Sequence, residues 1–211
     1  FGTTAYGAPF HFDYFKNTGA HNTVMINEKN QAPGKARLVR YDTDETFIYA
    51  EAVIDWREPY QMPLIFTLPN WDEKAYRGIR MTRKIAWSKE GDCFAECFIV
   101  EGLDGRRADW VMHIDGEPEI GDGMLHLEGP LSTERPLKHM KEIHYSEKPQ
   151  QVVCSRFSAD DTDVSLYSWI PEGTLYLGRV PDNPSIRNIS QIVERKTGDK
   201  AVFLHLMEAR R

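Results

Sequence analysis

Hydrophobic and polar positions alternate along much of this chain. In residues 78–87, GIRMTRKIAW, one side of an extended chain would carry four apolar residues: Ile79, Met81, Ile85 and Trp87. The opposite side would carry Arg80, Thr82 and Lys84. A period of two is typical of a half-exposed antiparallel strand.

The same reasoning extends over the rest of the chain. Three segments are apolar on both faces, as expected for strands inside stacked sheets: 46–54, 93–100 and 201–209. Five more strands are predicted at 108–115, 151–157, 164–170, 174–180 and 190–196. Turn sequences such as KEGD, LDGR and KTGD separate them, and residues 60–78 form a long excursion between sheets. The pattern predicts an all-β fold, a large antiparallel β-sandwich, with residues 1–211 as a single domain.

Composition and charge narrow the classes of partner. The 211 residues are 41% hydrophobic and 27% charged, as in a folded globular protein, and carry a formal net charge of -6. This acidic balance argues against a nucleic-acid or membrane-surface partner, because either would favour a basic face. No apolar run approaches the ~18 residues of a transmembrane helix. Because the chain begins with Phe1, we expect a fragment or a processed product.

The three cysteines do not predict a metal or redox site. Cys93 and Cys97 lie on the same predicted strand, too far apart for a disulfide, and Cys154 is isolated. No CxxC or zinc-finger spacing is present. We therefore expect all three to be buried small hydrophobic residues.

Candidate chemistry is concentrated in residues 5–31, AYGAPFHFDYFKNTGAHNTVMINEKNQ. His21 ends an aromatic loop and precedes a short strand, TVMI, in which Val24 and Ile26 are predicted to face the core. A histidine at a strand mouth is well placed for catalysis or metal binding, although a structural role stays open. His113 and His205 lie within predicted strands, where a structural role is favoured.

The residues around His21 resemble a motif of the heparinase II/III-like polysaccharide lyases. The match consists of His21-Asn22-Thr23-Val24, with Thr18 before it and Gln31 after it. A second, weaker match lies in residues 106–117, RRADWVMHIDGE. The resemblance implies the C-terminal β-sandwich of such an enzyme. It also implies an N-terminal helical (α/α) toroid, absent from this chain, and an active site in the cleft between the two parts.

The resemblance assigns roles to individual residues. It implies that His21 is a ligand of a Zn²⁺ ion whose companion ligands, a histidine and an aspartate, come from strands preceding Phe1. The zinc site is therefore expected to be incomplete in this fragment. Tyr6 matches the position of a catalytic tyrosine, with Tyr14 as the fallback. Tyr14 and Lys16 are candidate substrate-binding residues. Arg37 and Arg40 are weaker candidates as cations for an anionic sugar.

The predicted function follows from this resemblance. The full-length protein is expected to cleave an acidic, uronate-containing glycan, such as alginate or heparin/heparan sulfate, by β-elimination in the periplasm or outside the cell. The isolated fragment is expected to be inactive. Two alternatives stay open: a non-catalytic carbohydrate-binding or structural sandwich whose loop aromatics stack on sugar rings, and an accessory domain of a glycoside hydrolase.

Overall fold

Antiparallel strands in two sheets make up most of the molecule. The computed structural model describes residues 4–58, 71–90, 93–146, 150–159, 161–183 and 187–210. The six-stranded sheet contains, in spatial order, β1 (Thr23–Ile26), β6 (Arg107–Ile114), β13 (Asn188–Thr197), β12 (Thr174–Pro181), β9 (Lys141–Ser146) and β8 (Met124–His126). The eight-stranded sheet contains β2 (Arg37–Thr43), β3 (Phe47–Asp55), β4 (Arg80–Ser88), β5 (Cys93–Glu101), β14 (Lys200–Arg210), β11 (Thr162–Ile170), β10 (Gln150–Ala159) and β7 (Glu117–Glu119).

This architecture confirms the predicted all-β sandwich. Each strand that the sequence predicted is present, and all pairings between the strands are antiparallel. The sequence did not single out β2, β7, β8 and β9. All of β2 is exposed, and β7 and β8 have three residues each, so none of these three offers a clear hydrophobic alternation.

Two hydrophobic clusters stabilise the sandwich. The larger one lies between the sheets and includes Val24, Ile26, Trp110 and Phe203, as the predicted inward orientation of Val24 and Ile26 requires. The second cluster contains Met25, which points away from that core and is nevertheless fully buried. It exists because the segment before β1 and the segment around Leu137 cover the outer face of the six-stranded sheet.

Two expectations outside the strands have mixed outcomes. Of the predicted excursion at 60–78, residues 60–70 lie outside the described residues, and the remainder contains a one-turn helix, α1 (Glu73–Tyr76).

The prediction of three buried cysteines was wrong: Cys154 is exposed on β10, and Cys93 and Cys97 are partly exposed. No helix among the described residues is long and apolar enough to cross a membrane.

Charged side chains are buried between the two sheets. On β13, the Glu194 carboxylate lies 2.9 Å from Lys196 Nζ and 3.2 Å from His205 Nε2 of β14. The other ring nitrogen of His205 lies 3.0 Å from Ser168 Oγ, and its ring stacks on Trp110 with 3.6 Å between centroids. His205 is therefore a buried core histidine, as its sequence context indicated, but its Nε2 atom makes no hydrogen bond to any described residue. Burial raises the pKa of Glu194 to about 7.

The pH dependence of stability tests the burial of Glu194. The pKa of Glu194 in the folded protein, about 7, exceeds the ordinary value of 4.5. The contribution of Glu194 to the stability of the fold is therefore fully present below about pH 4.5 and is lost as the pH rises through 7. We expect Glu194→Gln, which imitates the protonated acid, to gain stability relative to the unsubstituted protein by ~1.4 kcal/mol per pH unit across that window. Urea unfolding at several pH values measures this gain, with the exposed Glu101→Gln as control. A stability difference that is constant with pH would contradict it.

Candidate functional site

The segment that carries the motif lies on the outer face of the six-stranded sheet. It contains a π-helical turn at His11–Phe15 and a 3₁₀ turn at Thr18–Ala20, and then enters β1. Tyr14, Phe15 and Met25 are buried here in one cluster with Val111 and Val193 of the sheet. The motif loop, defined as residues 10–22, is thus anchored by its own hydrophobic layer.

Side-chain hydrogen bonds fix the path of the motif loop. The Asn30 carboxamide accepts from the backbone N–H of Thr18 at 2.9 Å and donates to Asn17 Oδ1 at 2.9 Å. The Asn17 amide donates to the Tyr14 carbonyl oxygen at 3.2 Å. Thr18 Oγ1 accepts from the backbone N–H of Gln31 at 2.7 Å. Thr18 and Gln31, which matched the family motif, therefore tie the motif loop to the segment that follows β1.

Asn22 connects the loop to both sheets. Its Oδ1 accepts from the backbone N–H and from ring Nδ1 of His113 on β6, each at 2.9 Å. Its backbone oxygen accepts from Arg83 Nη1 of β4 at 3.1 Å. The Arg83 guanidinium is itself bonded to the fully buried Glu96 of β5. The residue that follows His21 is therefore held directly by β6 and β4, and Glu96 of β5 supports it through Arg83.

His113 is the buried centre of this arrangement. The backbone N–H of His113 can donate only to the oxygen of the Asn22 carboxamide, so the Asn22 atom that faces the ring is Oδ1. Since this oxygen can only accept a hydrogen bond, ring Nδ1 of His113 must carry the proton. The Nε2 atom is then an acceptor, 3.1 Å from Tyr14 Oη and 2.8 Å from the amide of Gln191. That amide also donates to the Gly19 carbonyl oxygen at 2.8 Å. Burial lowers the pKa of His113 to about 3, so the ring is neutral.

His21 itself is exposed at the end of the loop. Partial desolvation of its ring lowers its pKa, the Phe15 carbonyl opposes this shift, and the charge of Lys16 adds to it. His21 is therefore expected to be largely neutral near pH 7, as a metal ligand or a general base must be. Lys16 lies near enough to His21 for this effect and is partly exposed.

The described residues do not form a zinc site by themselves. Nowhere in the described ranges do three His, Cys, Asp or Glu side chains form a group that could hold a metal ion. His113, the nearby histidine, has both ring nitrogens in hydrogen bonds. A stable protein zinc site needs three or four ligands. The zinc ion at His21 stays a prediction that requires ligands from outside the described residues.

The remaining predicted site residues differ in accessibility. Tyr6 is 80% exposed, with its ring 4.8 Å from that of His11. Tyr14 is 2% exposed, and its hydroxyl faces His113. This burial argues against direct contact between Tyr14 and substrate and indicates a role in supporting the loop. Arg40 lies over Tyr49 and pairs with Asp42 on the exposed strand β2.

Comparison with solved structures relates this arrangement to known enzymes. The fold matches "Heparinase III-BT4657 gene product" with a TM-score of 0.65 and 10% identity, over 99% of this chain and 27% of that one. A mutant of heparan sulfate lyase HepC from Pedobacter heparinus matches with a TM-score of 0.53 and 12% identity, over 99% and 27% of the respective chains. The chain has a heparinase-like lyase fold. It spans about a quarter of the length of the structures it matches.

The match to solved structures has no counterpart among known family models or curated sequences. No protein-family model matches the chain. No curated protein sequence matches it either. At 10–12% identity the likeness establishes the fold, and the activity of this chain is a separate question.

Proposed function

We propose that this chain is the β-sandwich part of a polysaccharide lyase that cleaves an acidic, uronate-containing glycan by β-elimination. The observation that carries the proposal is the heparinase-like fold, which extends over 99% of the chain. The motif loop adds support, because it presents exposed His21 near Lys16 on a rigidly held segment. Exposed Tyr6 precedes the loop, with its ring 4.8 Å from that of His11. The resemblance further suggests a periplasmic or secreted enzyme with an N-terminal toroid.

The chemistry of elimination suits these residue types. The lyase must remove the C5 proton of a uronate and expel the sugar that is linked at C4. Cations or hydrogen-bond donors must neutralise the carboxylate, since the C5 proton is otherwise too weak an acid. A base takes the proton and an acid protonates the leaving oxygen. We assign Tyr6 to proton transfer and Lys16 to the carboxylate, with further groups contributed by the toroid.

The substrate class is tested by product formation. The full-length protein is incubated separately with alginate, heparin, heparan sulfate and hyaluronan, and ultraviolet absorbance of the unsaturated uronate is followed. We expect an increase with at least one polymer, because elimination leaves a double bond conjugated to the carboxylate. His21→Ala is expected to lower the rate, while Lys200→Gln on β14 of the other sheet serves as control.

The same assay separates the rival functions. No absorbance change with any polymer, combined with glycan binding by the protein, would favour the carbohydrate-binding module. Release of reducing sugar without new ultraviolet absorbance would instead indicate hydrolysis. Either result would overturn the lyase proposal.

A further inference from the structure

A cleft of about 650 Å³ opens beside the motif loop. The loop cleft is lined by two aromatic rings, two asparagines and charged side chains: Phe12, Trp71, Asn17, Asn30, Glu28, Lys29, Asp72, Glu134, Arg135 and Lys138, with Thr133. Its volume falls in the range of small-molecule sites, which is about 300–1,000 Å³. The catalytic assignment above uses none of these residues.

The floor of the loop cleft is preformed. Asn17 and Asn30 are joined by a 2.9 Å hydrogen bond, and the same two residues hold Thr18, Phe12 and Tyr14 of the loop backbone. A ligand therefore does not have to order this part of the chain when it binds. This lowers the entropic cost of binding.

The aromatic walls suit the apolar face of a sugar ring. Phe12 is 56% exposed, and Trp71 is partly buried against the inter-sheet core while it lines the cleft. An exposed aromatic ring at a pocket wall is free to take an apolar contact, and the anchored Trp71 is held in position.

One end of the loop cleft has more cationic groups than anionic ones. The Asp13 carboxylate accepts from Lys138 Nζ at 2.9 Å, Arg135 Nε at 2.7 Å and His139 Nε2 at 2.6 Å. Hydrogen bonding from Lys138, together with His139, lowers the pKa of Asp13, so it carries one negative charge against two permanent positive charges. A second anionic group can therefore share these donors.

The acidic residues that line the cleft already have partners. Glu28 is bonded to Arg107, Arg195 and Ser132, and Glu134 lies 2.9 Å from Lys29. Asp72 accepts the first backbone N–H groups of α1. The charges of Glu28 and Glu134 are thus balanced by cations other than Arg135 and Lys138, whereas Asp72 is bonded to uncharged backbone groups of α1.

We propose that the loop cleft is a binding subsite for an acidic sugar residue. The sugar ring packs against Phe12 and Trp71, and its carboxylate or sulfate accepts from Arg135 and Lys138. This inference rests on the proposed function for the identity of the glycan. The cleft would then determine the affinity for the glycan, while other residues transfer the protons.

Oligosaccharide binding to the full-length protein tests the subsite. The probes are tetrasaccharides of heparin and of alginate, with neutral cellotetraose as reference, and the measurement is isothermal titration calorimetry. We expect Lys138→Gln and Arg135→Gln each to weaken binding of an acidic probe by ~2–5-fold, about the value of one partly exposed charge pair. Phe12→Ala is expected to have an effect of ~3–10-fold. Matched controls are Lys200→Gln and the exposed Phe47→Ala, neither of which lines the cleft.

The outcomes distinguish this subsite from the lyase activity. If the cleft variants weaken acidic-probe binding and raise KM while kcat is kept, the subsite is supported. Weakened binding without any elimination activity would support the cleft and overturn the lyase proposal. Unchanged binding in all three variants, or equal affinity for cellotetraose, would overturn the cleft and leave the lyase assay unaffected. The relative affinities of the heparin and alginate probes identify whether sulfate or carboxylate is preferred.

Discussion

Replacing Glu96 with alanine is expected to lower the free energy of unfolding by about 3 kcal/mol, because it removes one partner of a buried charge network. Glu96 is fully buried; it pairs with Arg83 and accepts from Trp110 Nε1 at 2.8 Å. Without it, Arg83 loses its counter-charge and the indole N–H loses its acceptor. Since the Arg83 side chain is 31% exposed, water recovers part of the loss.

Urea unfolding with a fitted m-value measures the Glu96 effect. Glu96→Gln keeps an acceptor for Trp110 and is expected to cost about half as much. Glu101→Ala on the same strand removes an exposed carboxylate 4.0 Å from Lys200 and is expected to cost below ~0.5 kcal/mol. Equal effects of the two alanine substitutions would show that the buried pair adds nothing beyond a surface charge.

The Glu96 network also has a consequence for the motif loop. Arg83 donates to the backbone oxygen of Asn22, so the buried carboxylate supports the residue next to His21 through one intermediate. Removing Glu96 is thus expected to weaken the contact that holds Asn22 as well as the interior of the sandwich. This connection explains how the motif loop can lie outside the inter-sheet core and still be held in place.

Strand patterns predicted most of the fold because each strand carries its own alternation. The outer layer was not predicted. Met25 alternates with the inward-facing Val24 and Ile26, and nothing in its neighbourhood indicated that the motif loop would bury it completely. That burial depends on contacts between segments far apart in sequence, such as Tyr14 with His113. Local patterns do not contain such contacts.

One part of the site did leave a signal in the sequence. The apolar face of residues 78–87 is interrupted at Arg83, which lies between Met81 and Ile85 on the inward side. A charged residue within an apolar face indicates a buried partner. The partner, Glu96, could not be identified, because that requires the register between β4 and β5. The role of Gln191 on β13 left no signal in its own strand.

Tyr6→Phe is expected to lower kcat by ~10²–10⁴-fold, because it removes the hydroxyl that we assign to proton transfer. The ring of Tyr6 lies 4.8 Å from His11 and 6.1 Å from Phe12, and phenylalanine keeps both contacts. Stability should therefore be unchanged, which separates a catalytic loss from a folding defect. The measurement is the initial rate of unsaturated product formation by the full-length protein on its preferred polymer.

Tyr41→Phe is the matched control for this substitution, since Tyr41 is 56% exposed on β2 and has no assigned role. We expect its kcat to equal that of the unsubstituted protein. Full activity of Tyr6→Phe would remove Tyr6 from the mechanism and leave it as an aromatic contact of the loop. Loss of activity in both variants would point instead to a general sensitivity of exposed tyrosines. A loss confined to Tyr6, with KM nearly unchanged, is the result that a proton-transfer role requires, because the hydroxyl then acts mainly in the transition state.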